Sequence, residues 1–102
     1  PGVDLMRQSL TNETRLIDVK ALAAPSIVPG SNTAQCVNAG VWQAAQGAIR
    51  SVTTQYPHHR LMLTGGTATE LMALGSQGEH RPHLVLDGLR VWLSSELDES
   101  AR

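Results

Sequence analysis

The chain has 102 residues, a formal net charge of -1 at pH 7 and 41% hydrophobic residues, which fits one domain with one modest core. The near-neutral charge and the lack of a basic run argue against a nucleic-acid-binding surface, and no stretch approaches the roughly 20 apolar residues of a membrane-spanning helix. Its single cysteine, Cys36, cannot form an internal disulfide, so a reducing, cytoplasmic setting is expected.

The first predicted element is a short amphipathic helix from Asp4 to Leu10. Val3, Met6 and Leu10 recur at i, i+3 and i+7 and form an apolar stripe, with Asp4, Arg7 and Gln8 on the other side. The stripe has no obvious partner elsewhere in the chain, so we expect it to pack across a two-fold axis against a second copy. Because no initiator methionine precedes this helix, we expect the chain to be the C-terminal piece of a longer protein.

The longest predicted element is a helix that begins at the turn of residues 30–33 and runs to about Tyr56. Before it, residues 13–29 show no regular period and are expected to form a folded connection. Asn32 or Thr33 is a natural N-cap for the helix. Cys36 lies on its apolar side and is expected to be a small core residue.

The sequence predicts two faces for this helix. With two tryptophans and no phenylalanine in the chain, we expect aliphatic residues and alanine to build the core. The predicted apolar stripe is Val37, Val41, Ala45, Ala48 and Val52. An adjoining ridge of small residues is expected to lie against a sheet or another helix: Gly40, Ala44, Gly47 and Ala48.

The stretch from Arg60 to Glu70 reads as a strand, a tight Gly65-Gly66 turn and a helix opened by a Thr67-x-x-Glu70 capping box. Glycines in such a turn let a ligand approach the backbone, and a helix N-terminus carries free N–H groups, so the stretch suits a nucleotide. A strand-to-helix turn also needs glycine for steric reasons alone, and both interpretations stay open. The spacing excludes a dinucleotide fingerprint and a P-loop.

The last third of the chain is predicted to hold a second strand and a final helix. Gly75 is expected to end the preceding helix, residues 76–82 to form a polar loop, and His83–Leu86 to form the strand. Asp87 would cap the final helix, and residues 94–102 would fray. The predicted buried face of that helix is Leu89, Trp92, Leu93 and Leu97. The order strand, helix, strand implies a parallel pair, and further strands are expected from residues outside the chain.

The residues give no sign of a catalytic or metal centre. His58 and His59 are adjacent and point apart on an extended chain, and His80 and His83 have no cysteine or carboxylate cluster beside them, so a zinc site is not expected. No Ser/His/Asp order and no pair of carboxylates is placed by spacing in one pocket. We therefore predict no catalytic residue and no metal ligand.

Four segments follow one another in a recognisable order. They are Pro1-Gly2-x-x-x-Met6-x-x-Ser9-Leu10, Gly30-x-x-Thr33-x-x-Cys36-x-x-x-Gly40, Leu63-Thr64-Gly65-Gly66 and Leu84-x-Leu86-Asp87-Gly88-Leu89. Together they resemble the C-terminal half of a type III pantothenate kinase, a family that includes the Bvg accessory factor proteins. The resemblance implies an α/β fold over residues 1–102: a ribonuclease H-like C-terminal subdomain of an actin-like ATPase, helix-rich with a short parallel strand pair.

The resemblance also implies an activity and a set of site residues. Family members are cytoplasmic homodimers that phosphorylate pantothenate with ATP, Mg²⁺ and a monovalent cation, K⁺ or NH₄⁺, in the first step of coenzyme A biosynthesis. Thr33 matches the pantothenate-binding threonine, which serves the neighbouring protomer's site, and Gly65 and Gly66 match the glycines near the adenosine. The opening helix, with Val3, Met6 and Leu10, matches the dimer-forming segment.

The chain departs from the family in two ways. After the first helix it reads Thr14-Arg15-Leu16-Ile17-Asp18 where the family commonly has Thr-Ala-x-Leu-Pro. The N-terminal Asp-x-Gly-Asn-Thr and the Gly-x-Asp-Arg with the catalytic aspartate have no match, so these residues alone cannot be a working kinase. Either a parent chain supplies them, or the chain is a non-catalytic dimeric accessory or transcription-regulatory factor. Another actin-like sugar or acid kinase is a third possibility.

Overall fold

The described part of the chain is helix-rich and contains a short pair of parallel strands. The computed structural model describes residues 2–13 and 24–101. Its elements in chain order are α1 (Val3–Glu13), α2 (Thr33–Gln55), β1 (Met62–Leu63), α3 (Ala68–Ala73), β2 (Glu79–His80) and α4 (Leu84–Ser100). The helix-rich α/β architecture is therefore confirmed. Most of the irregular connection predicted over residues 13–29 lies outside the described residues.

The core forms where α1 lies across α2. Val3 is buried together with Val41, Trp42 and Leu71, and Met6 and Leu10 pack against this group. The predicted first helix is confirmed and extends to Glu13. The premise that its apolar stripe has no partner within the chain was wrong, because α2 covers it.

The ends of α2 agree with the prediction, and the structure decides between the two candidate N-cap residues. The Asn32 side chain accepts a hydrogen bond of 2.9 Å from the Gln35 N–H, so Asn32 is the N-cap and Thr33 is the first helical residue. The helix ends at Gln55, two residues before Pro57, which would interrupt it.

The buried face of α2 differs from the predicted stripe. Its buried residues are Asn38, Ala39, Val41 and Trp42. Ala48 and Val52 are exposed, because the large Trp42 side chain takes the inward position and the face continues through Ala45 and Ile49. The small ridge was also wrongly placed: Gly40, Ala44, Gly47 and Ala48 are all exposed.

The strands pair in parallel, as predicted, but the second strand lies earlier in the chain than expected. Met62 is opposite Glu79, and Leu63 is opposite His80. The strand predicted at 83–86 is wrong, because Leu84 begins α4. Pro82 has no N–H with which to extend the ladder, and the Leu84 N–H instead bonds to the Arg81 carbonyl at 3.3 Å in the turn that opens the helix.

The helix after β1 is short and ends in a Schellman motif. Gly75 has φ of +100°, and the N–H groups of Gly75 and Ser76 donate to the carbonyls of Met72 and Leu71, each at 3.0 Å. The prediction that Gly75 ends this helix is confirmed. The capping box does not form, because the Thr67 side chain makes no cap bond and Glu70 accepts from the Thr69 hydroxyl.

The final helix is longer and more exposed than predicted. It runs for 17 residues to Ser100, so the expected frayed tail is mostly helix, and Asp87 lies in its first turn rather than at its cap. Its predicted buried face is open, with Leu89 50% and Trp92 57% exposed, because no other described element covers it. None of the helices in the described residues has the length and hydropathy to cross a membrane.

Candidate functional site

A cleft of about 780 Å³ lies where α1 meets the start of α2. Met6 and Leu10 of α1 form one wall, and Thr33 stands at the beginning of α2. The remaining lining residues are Ser9, Gly30, Ser31, Asn32, Cys36, Val37, Gly40, Val41 and Ala44. The structure thus brings together three residues that the sequence assigned to two roles, substrate binding and dimerisation. Val3 lies in the core rather than in this cleft.

The turn before α2 is folded tightly over the first turn of the helix. The Gln35 side-chain oxygen accepts hydrogen bonds from the Ser31 N–H at 2.9 Å and from the Ser31 hydroxyl at 3.0 Å. A Cβ on Gly30 would overlap the Gln35 Cβ and lie 2.7 Å from the Cys36 nitrogen. Only glycine fits this close approach, so Gly30, which sequence reasoning used only in the predicted turn and in the resemblance, shapes the cleft.

Thr33 is available to a ligand. It is exposed, its hydroxyl makes no hydrogen bond within the described residues, and Asn32 rather than Thr33 caps the helix. Thr33 also stands at the N-terminus of a 23-residue helix, where backbone N–H groups and the helix dipole favour negatively charged groups. The polar end of the cleft can therefore bind a carboxylate or hydroxyl group.

The other end of the cleft is apolar. Met6, Leu10, Val37 and Val41 are half-buried or buried and line it with aliphatic and thioether groups. An apolar wall with a few convergent polar groups is the usual form of a small-molecule site. The arrangement suits a small molecule that carries both a polar terminus and branched aliphatic carbons.

Cys36 lies at the rim of this cleft. The expectation that it is a small core residue was wrong. It is exposed, and its Sγ donates a weak hydrogen bond to the Gly30 carbonyl at 3.4 Å. Cys36 is exposed because it lies in the first turn of α2, on the side of the helix that lines the cleft and not on the side that carries Trp42 into the core.

A buried arginine holds the cleft walls together. The Arg7 side chain, which the sequence placed on the polar side of α1, is buried and donates to the Asn38 Oδ1 at 2.8 Å. Its guanidinium carbon lies 5.6 Å from the centroid of the Trp42 ring, close enough for a cation–π contact. Asn38 in turn donates to the Ala24 carbonyl at 3.0 Å. This network fixes α1 on α2 and brings in the chain segment that precedes the helix.

The Gly65-Gly66 turn is open to solvent and separate from the cleft. Gly65 has φ of +101°, which favours glycine, whereas Gly66 has no such backbone requirement. A Cβ at either position would meet no atom within 4 Å. Neither glycine lines the Thr33 cleft, so the described residues do not join the two predicted sites.

The histidines do not gather into a metal site. His58, His59, His80 and His83 are exposed, and the His59 ring packs edge-on to Tyr56 with 5.3 Å between centroids. Across residues 2–13 and 24–101, no three His, Cys, Asp or Glu side chains lie close enough to hold a metal ion.

Comparison with known proteins identifies one family. Residues 1–55 match the model of the type III pantothenate kinase family. A type III pantothenate kinase from Azoarcus sp. (strain BH72) is 36% identical over 107 residues, covering 98% of this chain and 39% of the relative. The protein of the same name from Hahella chejuensis is 31% identical over 91 residues, covering 89% of this chain and 38% of the relative. The chain thus spans about two fifths of the length of these curated relatives. No solved structure gives a significant match.

Proposed function

Because the chain belongs to the type III pantothenate kinase family, we propose that the complete protein transfers a phosphoryl group from ATP to pantothenate, the first step of coenzyme A biosynthesis. The family match over residues 1–55 carries this proposal. In this proposal the chain is the C-terminal, ribonuclease H-like part of an actin-like kinase domain in the cytoplasm. The rest of the protein supplies the catalytic aspartate and the phosphate-binding loop, with Mg²⁺ and K⁺ or NH₄⁺ as cofactors.

In this proposal the Thr33 cleft contributes to the pantothenate site. Pantothenate carries a carboxylate, an amide, hydroxyl groups and two methyl groups on one carbon, and the cleft offers a polar end at the α2 N-terminus and an aliphatic wall. The Thr33 hydroxyl, which has no partner among the described residues, bonds with the substrate, and the wall formed by Met6 and Leu10 accommodates the methyl groups of pantothenate. The polar and aliphatic groups of pantothenate thus correspond to the polar and aliphatic parts of the cleft.

The activity is tested by incubating the complete protein with ATP, Mg²⁺ and K⁺, with pantothenate as the acceptor. The expected result is ATP consumption that depends on pantothenate and yields 4'-phosphopantothenate, identified by mass spectrometry. Turnover of a different acceptor, or no turnover by a folded protein that also shows no thermal shift with ATP and pantothenate, would contradict the proposal.

The Gly65-Gly66 turn is proposed to lie against the adenosine of ATP. Gly66→Val should raise the KM for ATP by roughly tenfold through steric exclusion, with a smaller effect on the KM for pantothenate. Gly66 is the better test position, because its backbone does not need glycine and a side chain there meets no protein atom within 4 Å. Gly47→Val, at an equally open position on α2, is the control. An unchanged KM for ATP in the folded Gly66→Val enzyme would leave the glycines with a turn-forming role only.

The homodimer is proposed to form over the cleft side of α1. Met6 and Leu10 remain half-buried there beside Thr33, whereas Val3 is already covered by α2. We expect sedimentation velocity to show a dimer for the complete protein and a monomer for Met6→Glu, since a buried charge would lack a partner. Leu5→Glu is the control, because Leu5 is 58% exposed and lies outside the cleft. A Met6→Glu protein that keeps its helical circular dichroism and remains dimeric would place the interface elsewhere.

A further inference from the structure

A second cleft, of about 600 Å³, lies between the end of α2 and the edge of the strand pair where both strands begin. Arg50 and Thr54 of α2 form one side, and Arg60, Gln77 and Gly78 form the other. The Gly65-Gly66 turn follows the opposite end of β1, and the Thr33 cleft lies at the other end of α2. This cleft is therefore separate from both parts of the proposed kinase site.

Among the described residues, the arginines on the walls of this cleft differ in their ion pairing. Arg60 makes a forked pair with Glu79, with bonds of 2.9 Å from Nε and 2.8 Å from Nη2, and Arg81 adds a bond of 3.2 Å. Hydrogen bonds from Arg60 and then Arg81 hold the pKa of Glu79 below its usual value, so this carboxylate is ionised and satisfied at neutral pH. Arg50 has no carboxylate within ion-pair distance in the described part of the chain.

The loop opposite Arg50 presents backbone donors. The N–H groups of Gln77 and Gly78 donate to no acceptor among the described residues, although their neighbours Ser76 and Glu79 are bonded to the carbonyls of Leu71 and Leu61. Gly78 has φ of +152°, and a Cβ there would lie 3.2 Å from the Leu61 side chain. The loop thus lies against Leu61, the residue before β1. Arg50, Gln77 and Gly78 all line this cleft, and within the described residues neither the guanidinium nor either N–H group has a hydrogen-bond partner, a set of donors that suits an oxyanion.

We propose that this cleft binds a small oxyanion, a phosphate or carboxylate group, between the Arg50 guanidinium and the backbone N–H groups of Gln77 and Gly78. Arg50 supplies the positive charge, and the backbone N–H groups of the loop donate hydrogen bonds that orient the anion. This cleft is separate from the Thr33 cleft and from the Gly65-Gly66 turn, so the proposal does not depend on the proposed reaction.

The test is a titration of the complete protein, labelled with ¹⁵N-glycine, with inorganic phosphate and separately with acetate, at constant ionic strength set by sodium chloride. The expected result is a saturable shift of the Gly78 amide signal with at least one of the two anions, and the stronger response tells which group the cleft prefers. Arg50→Gln should weaken this binding by about tenfold. Arg90→Gln, an exposed arginine on α4, is the matched control and should leave it unchanged.

Two results would overturn the proposal. One is a Gly78 signal that moves no more with phosphate or acetate than with chloride. The other is saturable binding that is equal in the wild type and the Arg50→Gln protein. Signals of Gly65 and Gly66 serve as the internal reference, because anion binding at the nucleotide turn would move them and leave Gly78 unaffected.

Discussion

Replacing Trp42 with alanine is expected to lower the free energy of unfolding of this chain by about 3–5 kcal/mol. Trp42 is only 3% exposed and lies at the centre of the α1–α2 contact, with Val3, Val41 and Leu71 around it. Trp42 is the largest of the buried hydrophobic residues in the described part of the chain, so the substitution removes a large apolar surface and leaves a cavity. Urea unfolding followed by circular dichroism measures the change.

The chain supplies a matched control in its second tryptophan. Trp92 is 57% exposed on α4, so Trp92→Ala in the same 102-residue chain should change the free energy of unfolding by within about 0.5 kcal/mol. Equal losses in the two variants would contradict the position of the core between α1 and α2.

Replacing Arg7 with alanine is expected to lower the free energy of unfolding by about 1.5–3 kcal/mol, the range for hydrogen bonds that involve a charged group. The change removes the 2.8 Å bond to Asn38, whose side-chain oxygen is then left buried with one fewer donor, and it removes the cation from the Trp42 ring. The same urea titration measures it.

The control for Arg7 is Arg90→Ala, because Arg90 is exposed on α4 and takes part in no ion pair among the described residues. Its expected effect is within about 0.5 kcal/mol. If the two arginine variants unfolded at the same urea concentration, Arg7 would not stabilise the α1–α2 contact in the way the structure indicates.

The features that sequence reasoning predicted well depend on local chemistry. The start of α2 follows from the capping capacity of Asn32, its end from Pro57, and the end of α3 from the left-handed backbone that Gly75 adopts. Each of these signals acts within a few residues of its own position. They can therefore be recognised without knowledge of the rest of the fold.

The features that were missed depend on contacts between distant residues. A strand of two residues has no period to detect, and the position of β2 is supported by the pairing of Arg60 with Glu79, 19 residues away. Arg7 looked solvent-exposed because its partner, Asn38, lies 31 residues further along. The apolar pattern of α4 predicted a buried face that the described residues do not cover.

The candidate site was predicted in part. Thr33 was assigned from a resemblance, and Met6 and Leu10 from their apolar spacing as well as from the resemblance. The packing of α1 on α2 and the folded turn at Gly30 bring the three to one cleft. The sequence left open whether Thr33 serves as a helix cap. The hydrogen bond from the Gln35 N–H to the Asn32 side chain gives that role to Asn32, so a substitution of Thr33 tests ligand binding without removing the helix cap.

The most direct test of the proposed substrate site is calorimetric titration of pantothenate into the complete protein and its Thr33→Val variant. Valine keeps the shape of threonine and removes the hydroxyl, and the cap at Asn32 is untouched, so the unfolding midpoint should not change. Loss of one positioned hydrogen bond costs about 1–3 kcal/mol, so we expect a Kd roughly tenfold higher or more for the variant. Thr54→Val, near the far end of α2, should bind as the wild type does. An unchanged Kd in folded Thr33→Val protein would contradict the assignment of this cleft to pantothenate.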